Sequence, residues 1–181
     1  PDGNYLLIST VKKPFSYIVP YSSFPEDVSI FDISGKLLRQ IAELPAAETI
    51  PKGFNAVPTG PRSFNWRSDK PASLYWVEAQ DGGDPKMEVA VRDKMFYLDA
   101  PFTGRPQQGI SFSLRYGGVT WGNDNLAMAY ERWWSTRQTI TRRWQPGNPA
   151  AATYHIFICH PRLDRGSSLL LNQSNSDSFS L

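Results

Sequence analysis

The stretch of residues 64–79 constrains the fold more than any other part of this sequence, because it is typical of two strands joined by a tight turn. Phe64 and Trp66 alternate with polar neighbours, and this period of two sends successive side chains to opposite faces of a sheet. Residues 74–77 (LYWV) form a continuous run that suits a buried strand. Residues 68–71 (SDKP) supply turn chemistry, since Asp bonds nearby backbone and Pro fixes its own φ. The stretch therefore predicts a hairpin with a hydrophobic face.

A related pattern occurs twice more in the chain. Asp2, Asp69 and Asp124 each stand in a turn that precedes an apolar strand, at spacings of 67 and 55 residues. These spacings are longer than the roughly 40–50 residues of common four-stranded propeller repeats. Two interpretations remain open: a divergent structural repeat, or the frequency with which any all-β chain places Asp turns before strands.

Composition supports many short strands rather than long helices. Six Trp, eight Tyr and ten Phe accompany fifteen Pro and thirteen Gly, a mixture typical of strands separated by turns. A second hairpin is predicted over residues 27–42 around Ser34 and Gly35. Further strands are predicted at 5–10, 110–114, 138–144 and 155–160, and residues 86–100 are predicted to form either one strand or a strand pair with residues 92–94 at the bend. The predicted class is all-β.

Charge and reactive side chains exclude several classes of function. Nineteen Lys and Arg against seventeen Asp and Glu give a net charge of +2 with no continuous basic run, so no nucleic-acid partner is predicted. No stretch approaches the roughly 20 apolar residues of a membrane helix, so no membrane span is predicted. The single cysteine, Cys159, excludes an internal disulfide. Cys159, His155 and His160 could ligate a metal, but no fourth ligand stands at a recognisable spacing, and no cofactor is predicted.

Four longer strings carry a family resemblance: residues 24–28 (FPEDV), 53–64 (GFNAVPTGPRSF), 75–85 (YWVEAQDGGDP) and 115–121 (RYGGVTW). They are similar to the N-terminal β-propeller region of prolyl oligopeptidase-family (S9) serine peptidases, especially the branch of glutamyl endopeptidases from bacteria and chloroplasts. The resemblance covers about residues 1–150. Residues 151–181 show no such likeness, and their Ser- and Asn-rich composition is typical of a partly disordered tail.

The resemblance implies a partial β-propeller of about two to three four-stranded antiparallel blades, incomplete at both ends, within a longer protein. In that family the propeller covers an α/β-hydrolase domain whose nucleophilic Ser sits in a Gly-x-Ser-x-Gly turn. The sequence lacks this pentapeptide, since residues 166–170 (GSSLL) do not match it. The expectation is a non-catalytic segment, inactive by itself, which gates or selects peptide substrates for a C-terminal hydrolase domain missing from this chain. The alternative is a non-enzymatic propeller that binds other proteins.

The resemblance also implies a parent enzyme that prefers acidic residues. A buried carboxylate requires a charged partner, so cationic side chains are expected to face the substrate chamber. The alternative for each is a solvated residue on a strand. The candidate substrate-binding residues are Arg132, Arg137, Arg142, Arg143 and Arg67.

Overall fold

The computed structural model describes residues 2–15, 17, 19–47, 53–148 and 154–159. Within these ranges there is no α-helix, and one short 3-10 turn covers Tyr21–Ser23. The prediction of an all-β chain is confirmed. The strands are β1 (Tyr5–Val11), β2 (Glu26–Asp32), β3 (Leu37–Leu44), β4 (Pro61–Trp66), β5 (Ser73–Ala79), β6 (Asp93–Asp99), β7 (Gln107–Phe112), β8 (Arg115–Asn123), β9 (Leu126–Trp133), β10 (Gln138–Trp144) and β11 (Tyr154–Cys159).

The strands form three antiparallel sheets, each built from a contiguous part of the chain. Sheet A contains β1, β2 and β3, sheet B contains β4 to β7, and sheet C contains β8 to β11. In every sheet each strand pairs with the strand that follows it in sequence. Such up-and-down connections need only short turns between antiparallel neighbours.

Sheet B lies in the middle and buries both of its faces. On β5, Leu74 and Trp76 belong to a hydrophobic cluster shared with Ile30 of sheet A. The intervening Tyr75 and Val77 belong to a second cluster, shared with sheet C. Side chains alternate between the faces of a strand, so an unbroken apolar run is what a strand covered on both sides requires. The hairpin predicted over residues 64–79 is therefore present as β4 and β5.

The turn aspartates contact one another's turns in chain order. The Asp2 N–H donates to the Pro71 carbonyl at 2.9 Å. The Lys70 Nζ donates to Asp124 Oδ2 at 2.7 Å. The turns of Asp2, Asp69 and Asp124 directly precede β1, β5 and β9, one strand in each of the three sheets. The three turns therefore lie in a row along one end of the sheets.

The strand predicted from residue 86 begins later than the alternation of apolar residues suggested. Residues 86–92 lie outside the strands, and β6 starts at Asp93. Two successive turns occupy the preceding segment, since the Asp84 N–H donates to the Asp81 carbonyl and the Met87 N–H donates to the Asp84 carbonyl. The Lys86 N–H likewise donates to Asp84 Oδ1, so the N–H groups of residues 86 and 87 are used in local bonds and are not available to a neighbouring strand.

The last strand, β11, pairs with β10 from Gln138 opposite Cys159 to Arg143 opposite Tyr154. The strand predicted at 155–160 is thus present up to Cys159. Of residues 151–181, which were predicted to be a partly disordered tail, only 154–159 are among the described residues. Sheet C includes backbone from both sides of the predicted boundary at residue 150. No helix in the described part of the chain has the length and apolar character needed to span a bilayer.

Candidate functional site

A buried ion network occupies the end of the sheets opposite the row of aspartate turns. Arg115, the first residue of β8, donates from Nη2 to Asp81 at 2.7 Å and from Nη1 to Asp93 at 3.1 Å. Asp93 is fully buried and Asp81 is only 4% exposed. Since Asp81 and Asp93 belong to the sheet B segment and Arg115 to sheet C, the network joins the two sheets through paired charges.

Two further arginines complete the network. Arg92 Nη1 donates to Asp81 at 2.8 Å, and Arg62 Nη2 donates to Asp93 at 2.5 Å. Burial by itself would raise the pKa of Asp81, but the hydrogen bonds and charges of Arg115 and Arg92 outweigh it and hold that pKa below its ordinary value. Asp81 is therefore ionised at neutral pH and serves as an anchor for Arg115 and Arg92.

An aromatic stack lies beside this network, formed by Phe54, Trp134 and Arg137. The ring centroids of Phe54 and Trp134 are 3.6 Å apart, with an interplanar angle of 6°. The Arg137 guanidinium carbon lies 3.8 Å from the Trp134 ring centroid. Phe54 and Trp134 are 64% and 42% exposed. The chain thus presents a layered cation and two aromatic rings at its surface.

Asn55 connects the aromatic stack to the ion network. Its carbonyl accepts a hydrogen bond from Arg115 Nε at 2.8 Å, and its Oδ1 accepts one from the Trp134 N–H at 3.2 Å. The same loop is attached to residues 81–83, because the Val57 N–H donates to the Gly83 carbonyl at 3.2 Å. Phe54 is therefore positioned by contacts on both sides of its loop.

Replacing Gly83 with alanine should disturb this loop far more than the same change at Gly82. Both glycines have positive φ, but a Cβ at Gly83 would lie 2.0 Å from the Val57 carbonyl oxygen, whereas one at Gly82 meets nothing within 4 Å. We expect Gly82→Ala to lower the free energy of unfolding by about 1 kcal/mol and Gly83→Ala by about 2–3 kcal/mol. Urea unfolding of the two variants measures the difference, and equal midpoints would contradict the contact.

Two of the five predicted substrate-binding arginines are engaged inside the protein. Arg67 is 2% exposed and donates to both carboxylate oxygens of Asp69, at 3.0 and 2.8 Å. Arg142 pairs with the fully buried Glu131. Asp69 was expected only to shape its turn, but it also neutralises this buried arginine.

The other three predicted arginines are exposed on the β9–β10 hairpin. Arg143 lies opposite Met128 and has an interaction partner. Arg132 lies opposite Thr139. Arg137 stacks on Trp134, as described above. The structure therefore brings Arg132, Arg137 and Arg143 to one hairpin and leaves Arg67 and Arg142 in separate internal ion pairs.

Other surface features offer less chemistry. A groove of about 500 Å³ lies between residues 12–14 and 43–46. Lys12 and Lys13 both line this groove, and Lys12 is already bound by Asp27 and Glu43. Among the residues that the structure describes, no group of three or more His, Cys, Asp or Glu side chains could hold a metal ion.

The sequence interpretation missed the part that Phe54 and Asn55 play. Both stand in a segment rich in Pro and Gly that was interpreted as a connection between units. The usable signal was the exposed aromatic residue beside an Asn, a residue type that tolerates positive φ, and Asn55 has a φ of 68°. Conformation of this kind in a loop often accompanies a positioned side chain.

Two curated relatives match the chain, and both are plant proteins named probable glutamyl endopeptidase, chloroplastic. The relative from Oryza sativa subsp. japonica is 40% identical over 182 residues, which covers 99% of this chain and 18% of the relative. The relative from Arabidopsis thaliana is 46% identical over 158 residues, which covers 86% of this chain and 16% of the relative. The rice match thus extends beyond residue 150. The chain spans less than a fifth of the length of either relative, and no protein-family model or solved structure matches it.

Proposed function

We propose that this chain is a non-catalytic β-propeller segment of an S9-type serine peptidase, and that it gates or selects peptides for an α/β-hydrolase domain elsewhere in that protein. The observation that carries the proposal is the 40–46% identity to proteins named glutamyl endopeptidase over most of the chain. Because the chain covers less than a fifth of those relatives, we assign peptide gating or selection to its three sheets and the catalytic groups to another part of the protein.

The arrangement of the sheets supports the propeller part of the proposal. Three antiparallel up-and-down sheets follow one another in the chain, and the middle sheet packs against a neighbour on each face. A propeller consists of four-stranded sheets of this kind arranged in sequence around an axis. In such an arrangement sheets B and C are consecutive four-stranded blades, and sheet A is a neighbouring blade with three strands among the described residues.

Acidic specificity is the finer part of the proposal. An acidic side chain entering a water-poor chamber is stabilised by a guanidinium that is not already neutralised. Within the described ranges no carboxylate pairs with Arg132 or Arg137, whereas Arg67 and Arg142 are bound to Asp69 and Glu131. The cationic hairpin between β9 and β10 is therefore the part of this chain that we propose to face the peptide.

The 181-residue chain alone should hydrolyse chromogenic glutamyl peptides only at the background rate, because its sequence lacks a Gly-x-Ser-x-Gly nucleophile turn. The whole protein that contains it should cleave the same peptides. Release of chromophore is measured for both, with and without a serine-reactive phosphonate. A phosphonate-sensitive rate from the chain alone would overturn the non-catalytic assignment, and no rate from the whole protein would favour a protein-binding propeller.

A further inference from the structure

We infer that the aromatic stack of Phe54, Trp134 and Arg137 is a binding site for an acidic peptide segment, in which Arg137 holds a carboxylate and the open side of Phe54 packs against a neighbouring apolar side chain. For its biological setting this inference rests on the proposed role in peptide selection. It adds the aromatic residues and the peptide chemistry that they would take.

The geometry leaves suitable surfaces free. Phe54 and Arg137 each approach within 4 Å of the Trp134 ring centroid, at 3.6 and 3.8 Å, so they lie on opposite faces of the indole. The side of Phe54 that faces away from Trp134 is open, since the residue is 64% exposed. The Arg137 guanidinium carries planar, forked N–H donors, and its contact with the Trp134 ring holds it at this surface. The stack thus offers an apolar platform and a set of oriented donors.

The charge of Arg137 is not neutralised within the described residues. Its guanidinium contact there is the Trp134 ring. By contrast, the buried arginines Arg67, Arg115 and Arg142 all pair with carboxylates. A planar guanidinium binds a carboxylate through two parallel hydrogen bonds, and stacking on an aromatic ring holds it ready for that geometry. Among the described residues, this guanidinium is therefore available to a carboxylate of a bound peptide.

The platform is held in place before any ligand arrives. Asn55 is fixed by Arg115 and by the Trp134 N–H. On the other side, the Arg137 N–H donates to the Trp134 carbonyl at 3.3 Å, which closes the turn between β9 and β10. A site whose groups are already ordered loses less conformational entropy on binding. Rigid support of this kind suits recognition better than an exposed aromatic residue on a free loop.

A peptide fits the site better than a single-stranded nucleic acid. Proteins that bind single strands combine several stacking platforms with a positively charged groove along the backbone. The proposed site contains a single aromatic stack, and the whole chain has a net charge of only +2. One carboxylate next to one apolar side chain matches the single guanidinium and the single open ring.

The test is direct binding to the 181-residue chain. The probe is a fluorescein-labelled peptide of alternating Glu and Phe, and its counterpart in which Gln replaces each Glu is the matched ligand. Fluorescence anisotropy should show that the Glu peptide binds about tenfold more tightly than the Gln peptide, as expected for loss of a charge-assisted hydrogen bond. Arg137→Gln should abolish this difference. Phe54→Ala should weaken the binding of both peptides and leave the difference between their affinities in place.

Arg105→Gln is the control variant, since Arg105 is also exposed and its substitution makes the same change in net charge. It should bind like the unmodified chain, and circular dichroism of all variants should show the same strand content. Equal affinity for the Glu and Gln peptides, or equal loss in Arg137→Gln and Arg105→Gln, would overturn the inference. Tighter binding of a labelled oligothymidine than of the Glu peptide would overturn the peptide assignment. The binding experiment does not depend on hydrolysis. A negative result would therefore overturn the peptide-binding site without contradicting the proposed propeller role, which the peptidase assay tests separately.

Discussion

Replacing Arg115 with methionine should lower the free energy of unfolding of the chain by about 3–5 kcal/mol, the usual cost of removing one partner from a buried ion pair. Arg115 is 4% exposed and donates to both Asp81 and Asp93. Without it, two buried carboxylates keep fewer donors than their charge requires. Urea unfolding followed by circular dichroism measures the loss.

The control for this prediction is Arg105→Met, which removes an exposed arginine and should change stability by no more than about 0.5 kcal/mol. Arg115→Lys should lie between the two, because it keeps the charge but loses the forked donors. A loss in Arg115→Met as small as that in Arg105→Met would show that the network contributes little.

The cost of Arg115→Met should also depend on pH. In the unmodified chain the pKa of Asp81 is lowered, so its stabilising contribution is present above the ordinary Asp pKa and is lost as the pH falls through the lowered value. In Arg115→Met the Asp81 carboxylate loses one of its cations, so burial raises its pKa relative to the unmodified chain. Protonation of Asp81 at lower pH then removes the buried charge that lacks this partner. The difference in stability between the two proteins should therefore shrink as the pH is lowered from 7 toward about 4.

Replacing Phe112 with alanine should cost about 3–5 kcal/mol, a loss typical of a large aromatic side chain removed from a packed core. Phe112 ends β7 and is fully buried in the cluster between sheets B and C. Its ring meets Tyr116 of β8 edge-on, with 5.4 Å between centroids. The change leaves a cavity at the contact between the two sheets and removes this aromatic pair.

Thermal and urea unfolding of Phe112→Ala should be compared with Phe112→Leu, which fills most of the volume and should cost less than about 2 kcal/mol. Phe15→Ala is the exposed control, since Phe15 is 56% exposed and stacks only on Phe24. A similar loss from Phe15→Ala and Phe112→Ala would contradict the assignment of Phe112 to the core.

The strands were predictable where side-chain burial alone decides conformation. The run at residues 74–77 predicted a strand covered on both faces, and the structure has sheets packed against both faces of β5. The alternation of Met87, Val89 and Val91 predicted a strand that is not there, because Asp84 and its neighbours form turns with local bonds. Periodicity indicates which side chains could share a face of a strand, but it does not indicate which partners the backbone N–H and carbonyl groups bind.

The arginines show why the site was harder to predict than the sheets. In the sequence, Arg67 and Arg137 are both candidate ligands for an acid. Their difference arises in three dimensions, since Arg67 lies against Asp69 and the Trp121 ring, whereas Arg137 lies on an exposed Trp134. The contact of Phe54 with Trp134 joins residues that are far apart in the chain, and no local pattern encodes it.

The division of the ion network between two sheets has a consequence for how the protein is made. The four strands of sheet B end at Phe112, so they are synthesised before β8 to β11 of sheet C. Until β8 docks and holds Arg115 in place, Asp81 and Asp93 lack one of their cations. Docking of sheet C both covers a face of sheet B and supplies that cation, so sheet B becomes fully stable only when sheet C is in place. A polypeptide that ends at residue 114 should therefore be much less resistant to protease than one that ends at residue 148.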